Sequence, residues 1–168
     1  MATPKIVVMG VSGCGKSTVG RLLARALDVP FVEGDELHPA RNIELMASGV
    51  ALTDDDRQGW LQSVGAQLSS PSAQSRGAIV TCSALRRSYR DLLRTHAPDV
   101  RFVYLHGDER VLTQRMAERD GHYMPASLLQ SQLDTLEPPA ADERAIALDI
   151  QHPPEVLARL ALHSLKNG

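Results

Sequence analysis

Residues 10–17 read Gly10-Val11-Ser12-Gly13-Cys14-Gly15-Lys16-Ser17, which is the G-x-x-x-x-G-K-S pattern of a phosphate-binding loop. The glycines let backbone N–H groups surround an anion, which side chains at those positions would hinder. In this pattern Lys16 supplies positive charge to the β- and γ-phosphates, and the hydroxyl of Ser17 can ligate Mg²⁺. The stretch therefore predicts a site for the phosphates of a nucleotide together with Mg²⁺.

The sequence on either side of this loop has the pattern that the motif requires. Lys5–Met9 is a short apolar run rich in β-branched residues, which is typical of a buried parallel strand. After the loop, apolar residues recur on one helix face: Val19, Leu22, Leu23, Ala26 and Leu27. A strand, a glycine loop and a helix in this order direct the positive helix end towards bound phosphates.

The composition limits the class of protein. With 168 residues, of which 43% are hydrophobic and 23% charged, the chain has the make-up of one globular domain over residues 1–168. Its net charge of −2 and the lack of a basic block argue against a nucleic-acid partner. Because no apolar run approaches the roughly 20 residues that cross a bilayer and no signal peptide is visible, we expect no membrane partner and a cytoplasmic location.

Strand-like and helix-like segments alternate along the chain, which predicts an α/β fold with a parallel sheet and crossover helices. Strands are expected at Lys5–Met9, Pro30–Glu33, Ala78–Cys82, Arg101–His106 and Ala145–Asp149. Helices are expected at Lys16–Leu27, Asn42–Ala47, Asp55–Ser69, Arg87–His96, Glu109–Glu118, Leu128–Thr135 and Pro154–Leu165. Residues 67–77, rich in Ser and Gln, are predicted to form a surface loop.

Ligands of open parallel sheets bind beyond the carboxyl ends of the strands, so the polar residues that follow each strand are candidates for a site. Glu33-Gly34-Asp35 ends the second predicted strand with two carboxylates. A kinase needs a carboxylate that orients or deprotonates an acceptor hydroxyl, and it needs oxygen ligands for Mg²⁺. We therefore expect Asp35 to act on the acceptor, although an Asp at this point can also cap a turn.

The third predicted strand ends in Ser83-Ala84-Leu85 and lacks an acidic residue there. Motor and switch proteins with this type of loop hold Mg²⁺ through an Asp at such a strand end, so those classes are disfavoured. Arg86 follows at the binding edge, where a cation can meet an anionic substrate. Arg90 and Arg94 share its helix face and are predicted to be solvated.

A further pair of arginines precedes a long polar stretch. Arg115 and Arg119 are four residues apart on one predicted helix face, and that helix ends at Gly121. We predict a lid over about residues 119–137 that brings arginines to the phosphates and excludes water, so that ATP is not simply hydrolysed.

Two other features have two interpretations each. Thr53-Asp54-Asp55-Asp56-Arg57 is a helix start with acidic residues in its first turn, yet Asp55 or Arg57 can also reach a polyol.

Cys14 and Cys82 fit as small buried residues, and two cysteines do not make a disulfide framework. Alternatively, Cys14 is a reactive thiol, because Lys16 and a helix N-terminus both lower a thiol pKa.

Together these segments resemble the bacterial-type gluconokinases over essentially the whole chain. The matching motifs, besides the phosphate loop, are Gly34-Asp35-x-Leu37-His38-Pro39-x-Arg41-Asn42-Ile43, Leu52-Thr53-Asp54-Asp55-Asp56-Arg57-x-x-Trp60-Leu61, Cys82-Ser83-Ala84-Leu85-Arg86-Arg87, Gly121-His122 and Gln132-x-x-Thr135-Leu136-Glu137-x-Pro139-x-Ala141-Asp142-Glu143. The His-Pro-x-x-Asn and Asp-Asp-Asp-Arg segments discriminate this family far better than the phosphate loop does.

The resemblance implies ATP-dependent phosphorylation of D-gluconate at its 6-hydroxyl. It also implies the three-layer, nucleoside-monophosphate-kinase-like fold of P-loop kinases, with a five-stranded sheet of order 2-3-1-4-5, a lid and a homodimer. Shikimate kinases are near relatives, and their acidic pair after the second strand aligns with Glu33 and Asp35. The cofactors implied are ATP and Mg²⁺, with Ser17 as the metal ligand.

The resemblance and the chemistry of the substrate together assign residues to roles. The expected catalytic residues are Lys16, Asp35 and Arg119. Nucleotide binding is assigned to Gly10, Ser12, Gly13, Cys14, Gly15, Lys16, Ser17, Thr18, Arg115, Arg119 and Pro153. Binding of gluconate, which needs a cation for its carboxylate and polar groups for its hydroxyls, is assigned to Asp35, His38, Arg41, Asp55, Arg57, Ser83, Arg86, His122 and Gln132.

Other functions remain open on sequence alone. The chain can be another small-molecule kinase, acting on shikimate or a nucleotide, or a nucleotide-binding regulatory ATPase without a phosphoryl acceptor. A degenerate domain that binds nucleotide for structure alone is disfavoured, because Lys16, Ser17 and Asp35 are all present.

Overall fold

Five apolar segments form one parallel sheet in the computed structural model, which describes residues 3–118 and 128–168. The strands are β1 (Lys5–Met9), β2 (Phe31–Glu33), β3 (Ala78–Thr81), β4 (Arg101–His106) and β5 (Ile146–Asp149). Their order in the sheet is β2-β3-β1-β4-β5, which confirms the expected P-loop kinase topology. β1 lies between β3 and β4, with Val7 opposite Val80 on one side and Phe102 on the other.

The helices within the described residues are α1 (Lys16–Leu27), α2 (Ala40–Ala47), α3 (Asp54–Ser69), α4 (Pro71–Arg76), α5 (Arg87–His96), α6 (Glu109–Glu118), α7 (Leu128–Thr135) and α8 (Pro154–Asn167). Contacts pair α1 with α8 and α3 with α5. Since right-handed crossovers place α1 and α3 on opposite faces of the sheet, these pairs form the two outer layers. The buried strand β1 and the apolar sides of these helices make the core between them.

Close backbone approach at the end of β2 explains the glycine between the two carboxylates. A Cβ on Gly34 would lie 1.7 Å from the carbonyl oxygen of Thr81 on β3, so no side chain fits there. The N–H of Gly34 also donates to Oγ1 of Thr81 at 3.0 Å. This contact turns the chain sharply into a 3-10 turn, Gly34–Leu37, which the sequence did not predict and which places Asp35 at the carboxyl edge of the sheet.

The prediction of a surface loop over residues 67–77 is wrong. Helix α3 continues to Ser69, and α4 follows at once from Pro71 to Arg76. Ser70 caps α4 by accepting the N–H of Ala73 at 3.1 Å, and a proline in the first turn is favourable. The Ser-Pro pair was therefore a helix start signal rather than a loop signal. Helices α2 and α3 also begin slightly earlier than predicted, at Ala40 and Asp54.

The prediction that Arg90 is solvated is also wrong. Its side chain is fully buried and forms a bidentate salt bridge with Glu143, in which Nε donates to Oε1 at 2.7 Å and Nη2 donates to Oε2 at 3.0 Å. It also donates to the carbonyl oxygens of Ala84 at 2.8 Å and Glu137 at 3.0 Å. Arg94 reaches the same carboxylate at 2.8 Å. Arg90 therefore ties three distant segments together and is not a surface charge.

Helices long and apolar enough to cross a membrane are absent from the part of the chain that the structure describes.

Candidate functional site

The phosphate loop, residues 10–17, borders an open cleft of about 390 Å³ at the carboxyl edge of the sheet, which we call the donor cleft. Its lining residues are Ser12, Gly13, Cys14, Gly15, Lys16, Ser17, Thr18, Val19, Glu33, Asp35, Arg115, Glu118, His152, Pro154 and Leu157. The volume lies in the range of small-molecule sites. Gly13 and Gly15 have φ angles of 85° and 91°. Residues with a side chain rarely adopt such angles, so the loop conformation requires glycine at these positions.

Lys16 is held against its own loop. Its Nζ donates to the carbonyl oxygens of Gly10 at 3.0 Å and Val11 at 3.2 Å. Arg115 lies next to the loop, with its Nη1 4.0 Å from where a Cβ on Gly15 would be, and donates from Nη2 to the carbonyl oxygen of Ile150 at 3.1 Å. The cleft therefore contains two cations at fixed positions, together with the N-terminus of α1, which suits polyphosphate.

Ser17 and Glu33 form the polar floor of the donor cleft. Oγ of Ser17 donates to Oε2 of Glu33 at 2.6 Å, and Oγ1 of Thr81 donates to Oε1 of the same carboxylate at 2.5 Å. With its hydrogen directed to Glu33, the Ser17 hydroxyl keeps its lone pairs for a cation. A cluster of three or more His, Cys, Asp or Glu side chains is absent from the described residues. This donor set fits Mg²⁺, which is often held by few protein ligands together with substrate phosphates.

Cys14 is buried behind the loop, with its Sγ close to Gly10. Burial raises the pKa of its thiol, although Lys16 opposes this shift. The premise of the reactive-thiol interpretation, a lowered pKa, is therefore wrong. The structure agrees instead with the interpretation of Cys14 as a small packing residue. Burial likewise raises the pKa of Cys82, to about 12.

A second, smaller recess opens beside the donor cleft, and we call it the acceptor recess. It is lined by Ser12, Lys16, Asp35, His38, Met46, Leu52, Arg57, Trp60, Ser83, Leu85 and Gln132. Asp35 and Lys16 line both spaces. Within the described residues the carboxylate of Asp35 has no side-chain hydrogen bond or ion pair, so it is available to a ligand at the boundary.

His38 and Trp60 form one wall of the acceptor recess. Their rings stack with centroids 4.1 Å apart and planes at 16°, and Nε1 of Trp60 donates to the carbonyl oxygen of Gly34 at 2.8 Å. Asn42, which is 2% exposed, contacts Nδ1 of His38 at 3.2 Å. No role was predicted for Asn42, because His38 precedes α2 in an extended conformation and helix periodicity does not link the two residues.

Arg57 is the buried cation of the acceptor recess, with 9% of its surface exposed. Its Nη1 donates to the hydroxyl of Tyr89 at 2.9 Å, and its guanidinium lies over the Tyr89 ring, 5.6 Å from the centroid. The Tyr89 hydroxyl in turn donates to the carboxylate of Asp54. Burial raises the pKa of Tyr89, and its hydrogen bond to Asp54 raises it further, so it stays a neutral donor.

Gln132 connects the two spaces. Its Oε1 accepts a hydrogen bond from the backbone N–H of Ser12 in the phosphate loop at 2.8 Å, and its side chain lines the acceptor recess. Gln132 lies on α7, within the range 119–137 that was predicted as the lid, of which residues 119–127 are outside the described residues. Ser83 completes the recess from the loop after β3, where Ala84 adopts a positive φ of 47°.

Other predicted site residues lie elsewhere. Arg41 is on the surface, with its side chain 75% exposed and Nη2 3.7 Å from Oδ1 of Asp56. Asp55 and Pro153 are exposed and line neither space, although the neighbours of Pro153 border the donor cleft. Arg86 lies outside the recess with its Nε 3.7 Å from Oδ1 of Asp54. Arg119 and His122 are outside the described residues.

Comparison with known proteins gives matches over most of the chain. A family model described as an AAA domain matches residues 6–139. The chain is 47% identical to the gluconokinase of Gluconobacter oxydans over 159 residues, covering 94% of this chain and 89% of that protein. The crystal structure of a gluconokinase from Sinorhizobium meliloti has 52% identity and a TM-score of 0.88, covering 98% of this chain and 92% of that one. Shikimate kinase from Aquifex aeolicus, at 22% identity, a TM-score of 0.66 and 96% coverage of both chains, shares the fold.

Proposed function

Because the chain belongs to the gluconokinase family, we propose that it transfers the γ-phosphoryl group of ATP to the 6-hydroxyl of D-gluconate, giving 6-phospho-D-gluconate and ADP. The observation that carries this proposal is the position of Asp35 at the boundary between the donor cleft and the acceptor recess. In-line transfer requires the acceptor hydroxyl to be held beside the γ-phosphate, and a carboxylate between the two sites does this.

The donor cleft holds the nucleotide through residues 10–18. Backbone N–H groups of the loop and the N-terminus of α1 face the β- and γ-phosphates. Lys16 exchanges the carbonyl oxygens of its own loop for phosphate oxygens, and Arg115 adds positive charge beside Gly15. Arg119, expected from the predicted lid, completes the neutralisation of the transferring group.

Mg²⁺ belongs to this proposal as the ion that offsets the charge of the phosphates when bound. Ser17 would hold it through its hydroxyl oxygen, and Glu33 would orient that hydroxyl from behind. Thr81 fixes the other oxygen of Glu33, so the carboxylate has little freedom to rotate. The Glu33 carboxylate thereby joins the hydroxyls of Ser17 and Thr81.

The acceptor recess holds gluconate by its charge and its hydroxyls. Arg57 is the buried cation within the recess, so it is our choice for the substrate carboxylate, ahead of Arg41 and Arg86. Ser83, His38 and Gln132 offer hydrogen bonds along the hydroxyl chain. Asp35 accepts the proton of the 6-hydroxyl as its oxygen attacks phosphorus, and Trp60 supplies an apolar wall that excludes water.

Homodimer formation and a cytoplasmic location are part of the same proposal. The first is supported by the resemblance to gluconokinases and is tested by sedimentation equilibrium of the purified protein. The second is supported by the composition and is tested by fractionation of the producing cells.

The decisive test is release of ADP measured with ATP, Mg²⁺ and a panel of acceptors: D-gluconate, other aldonic acids, shikimate and AMP. We expect turnover with D-gluconate to exceed that with every other acceptor, and mass spectrometry to find one added phosphoryl group at C6. Turnover on shikimate or AMP without turnover on gluconate would overturn the proposal. ADP release that is unaffected by any acceptor would indicate an ATPase instead.

A further inference from the structure

Asn42 contacts two groups at once behind His38, which lines the acceptor recess. Its Nδ2 is 2.8 Å from the backbone carbonyl oxygen of Asp56 and 3.2 Å from Nδ1 of His38. A carbonyl oxygen can only accept, so the Asn42 atom that faces Asp56 must be the amide nitrogen. The contact with Asp56 therefore fixes which way the Asn42 amide is turned, independently of His38.

This orientation determines the tautomer of His38. The amide nitrogen of Asn42 has two hydrogens, of which one goes to Asp56 and the other to Nδ1 of His38. Nδ1 must then be an acceptor without a hydrogen, and in a neutral imidazole the hydrogen is on Nε2. Nε2 is thus the ring nitrogen that Asn42 leaves for a ligand in the recess that His38 lines, and it is a donor.

The surroundings keep the ring neutral and immobile. The stack on Trp60 prevents the imidazole from flipping, and burial lowers the pKa of His38 to about 4. The charged groups that share the recess with it are Lys16, Asp35 and Arg57. Asp35 raises this pKa and Arg57 lowers it, so the two partly cancel.

We propose that Asn42 is a positioning residue that holds His38 as the neutral Nε2–H tautomer, and that His38 thereby donates a hydrogen bond to an oxygen of the polyhydroxy acid. This inference rests on the proposed function and deepens it. Asp35 offers an acceptor and His38 a donor on the same recess, so the pair matches a substrate with several hydroxyls. A substrate that covers His38 but lacks the hydroxyl facing it leaves the Nε2–H desolvated and unpaired, and binds more weakly.

The first experiment reads the tautomer directly. The ¹⁵N chemical shifts of the two ring nitrogens of His38 are measured from pH 5.5 to 8, with His38→Gln used for assignment. We expect hydrogen on Nε2 and none on Nδ1 over the whole range. A hydrogen on Nδ1 at pH 7 would overturn the proposal, and this readout does not depend on the identity of the substrate.

The second experiment couples the tautomer to binding. Asn42→Asp replaces the donor facing Nδ1 by an acceptor, so a neutral His38 would carry its hydrogen on Nδ1 and offer no donor to the recess. We expect the KM for gluconate to rise about tenfold or more at pH 8. At pH 5.5, where the new carboxylate favours an imidazolium with both nitrogens protonated, the KM should recover towards the wild-type value while the KM for ATP stays constant.

Asn167→Asp is the matched control, because Asn167 lies four residues after His163 and contacts its Nδ1 at 3.4 Å on the exposed face of α8. This variant should leave both KM values unchanged.

If Asn42→Asp fails to fold, His38→Gln is compared with His38→Leu. The Gln variant keeps a donor at the Nε2 position, so the Leu variant should raise the KM for gluconate about tenfold above the Gln variant. Equal KM values in these two variants, or a pH-independent KM in folded Asn42→Asp, would overturn the proposal. Absence of gluconate turnover in the wild type would overturn the proposed function instead and leave the tautomer measurement standing.

Discussion

The donor cleft and the acceptor recess share a boundary but are built in different ways. The donor cleft takes about half of its lining from one continuous stretch, residues 12–19. The acceptor recess takes side chains from segments as far apart as His38, Arg57, Ser83 and Gln132, most of them buried. Nucleotide binding should therefore survive most single side-chain changes around the recess, whereas acceptor binding depends on long-range packing.

The largest expected effect comes from Asp35, at the boundary. Asp35→Asn keeps the shape of the side chain but removes the proton acceptor, so kcat should fall by about 10²- to 10⁴-fold. ATP affinity, measured by calorimetric titration, should stay within about twofold if the two sites are as separable as their construction indicates. The exposed neighbour Glu36→Gln is the control and should keep full turnover. Near-normal kcat in Asp35→Asn would exclude Asp35 as the proton acceptor.

The next effect concerns the ion pair between Arg90 and Glu143, which contacts the loop after β3 and no residue of the phosphate loop. Glu143→Gln leaves Arg90 buried without its charged partner, which should lower the free energy of unfolding by about 3–5 kcal/mol. Gluconate turnover should be lost at a lower denaturant concentration than nucleotide binding, because the network holds the Ala84 loop and Glu137 rather than the phosphate loop. Loss of gluconate turnover and of nucleotide binding at the same denaturant concentration would contradict the independence of the two sites.

The same pair makes stability depend on pH. Burial alone would raise the pKa of Glu143, but hydrogen bonds from Arg90 and Arg94 lower it from 4.5 to about 2. A carboxyl group with a lowered pKa stabilises the fold fully above its unfolded pKa and loses this contribution as pH falls through its folded pKa. The difference in unfolding free energy between wild type and Glu143→Gln should thus shrink between pH 4.5 and 2. Chemical denaturation across this range measures it, and a constant difference would contradict the pairing.

The sequence predicted the donor side well because its signals are local. The phosphate loop is contiguous, and apolar runs mark the strands that hold it, so the strands were predicted from local patterns; their order in the sheet came from the resemblance to gluconokinases and is confirmed. The acceptor side depends on partners distant in sequence. Arg90 lies on a helix face that looks solvated until Glu143, 53 residues later, is placed beside it. Gln132 meets Ser12 across 120 residues, and no pattern within either segment indicates that contact.

A smaller effect distinguishes the arginines that compete for the substrate carboxylate. Arg57→Met should raise the KM for gluconate about 10- to 100-fold, because a buried charge-assisted hydrogen bond is worth roughly 1.5–3 kcal/mol. Arg41→Met should raise it far less, since the Arg41 side chain is 75% exposed and lies outside the recess. Steady-state kinetics with gluconate varied at saturating ATP measure both. A larger increase for Arg41 than for Arg57 would move the carboxylate site to the outer edge of the recess.

The smallest expected effect tests the point where the two regions touch. Gln132 accepts the Ser12 N–H while lining the acceptor recess, so its removal frees the phosphate loop from a side chain that a bound acceptor also contacts. Gln132→Ala should weaken the coupling between ATP and gluconate by about fivefold, measured as the ATP dissociation constant with and without gluconate, because a single hydrogen bond contributes about 1 kcal/mol. Gln130→Ala on the same helix, where the side chain is exposed and donates to Asp134 at 2.9 Å, is the control and should leave the coupling intact. Equal coupling in both variants would mean that the two regions communicate only through Asp35 and Lys16, the residues that line both of them.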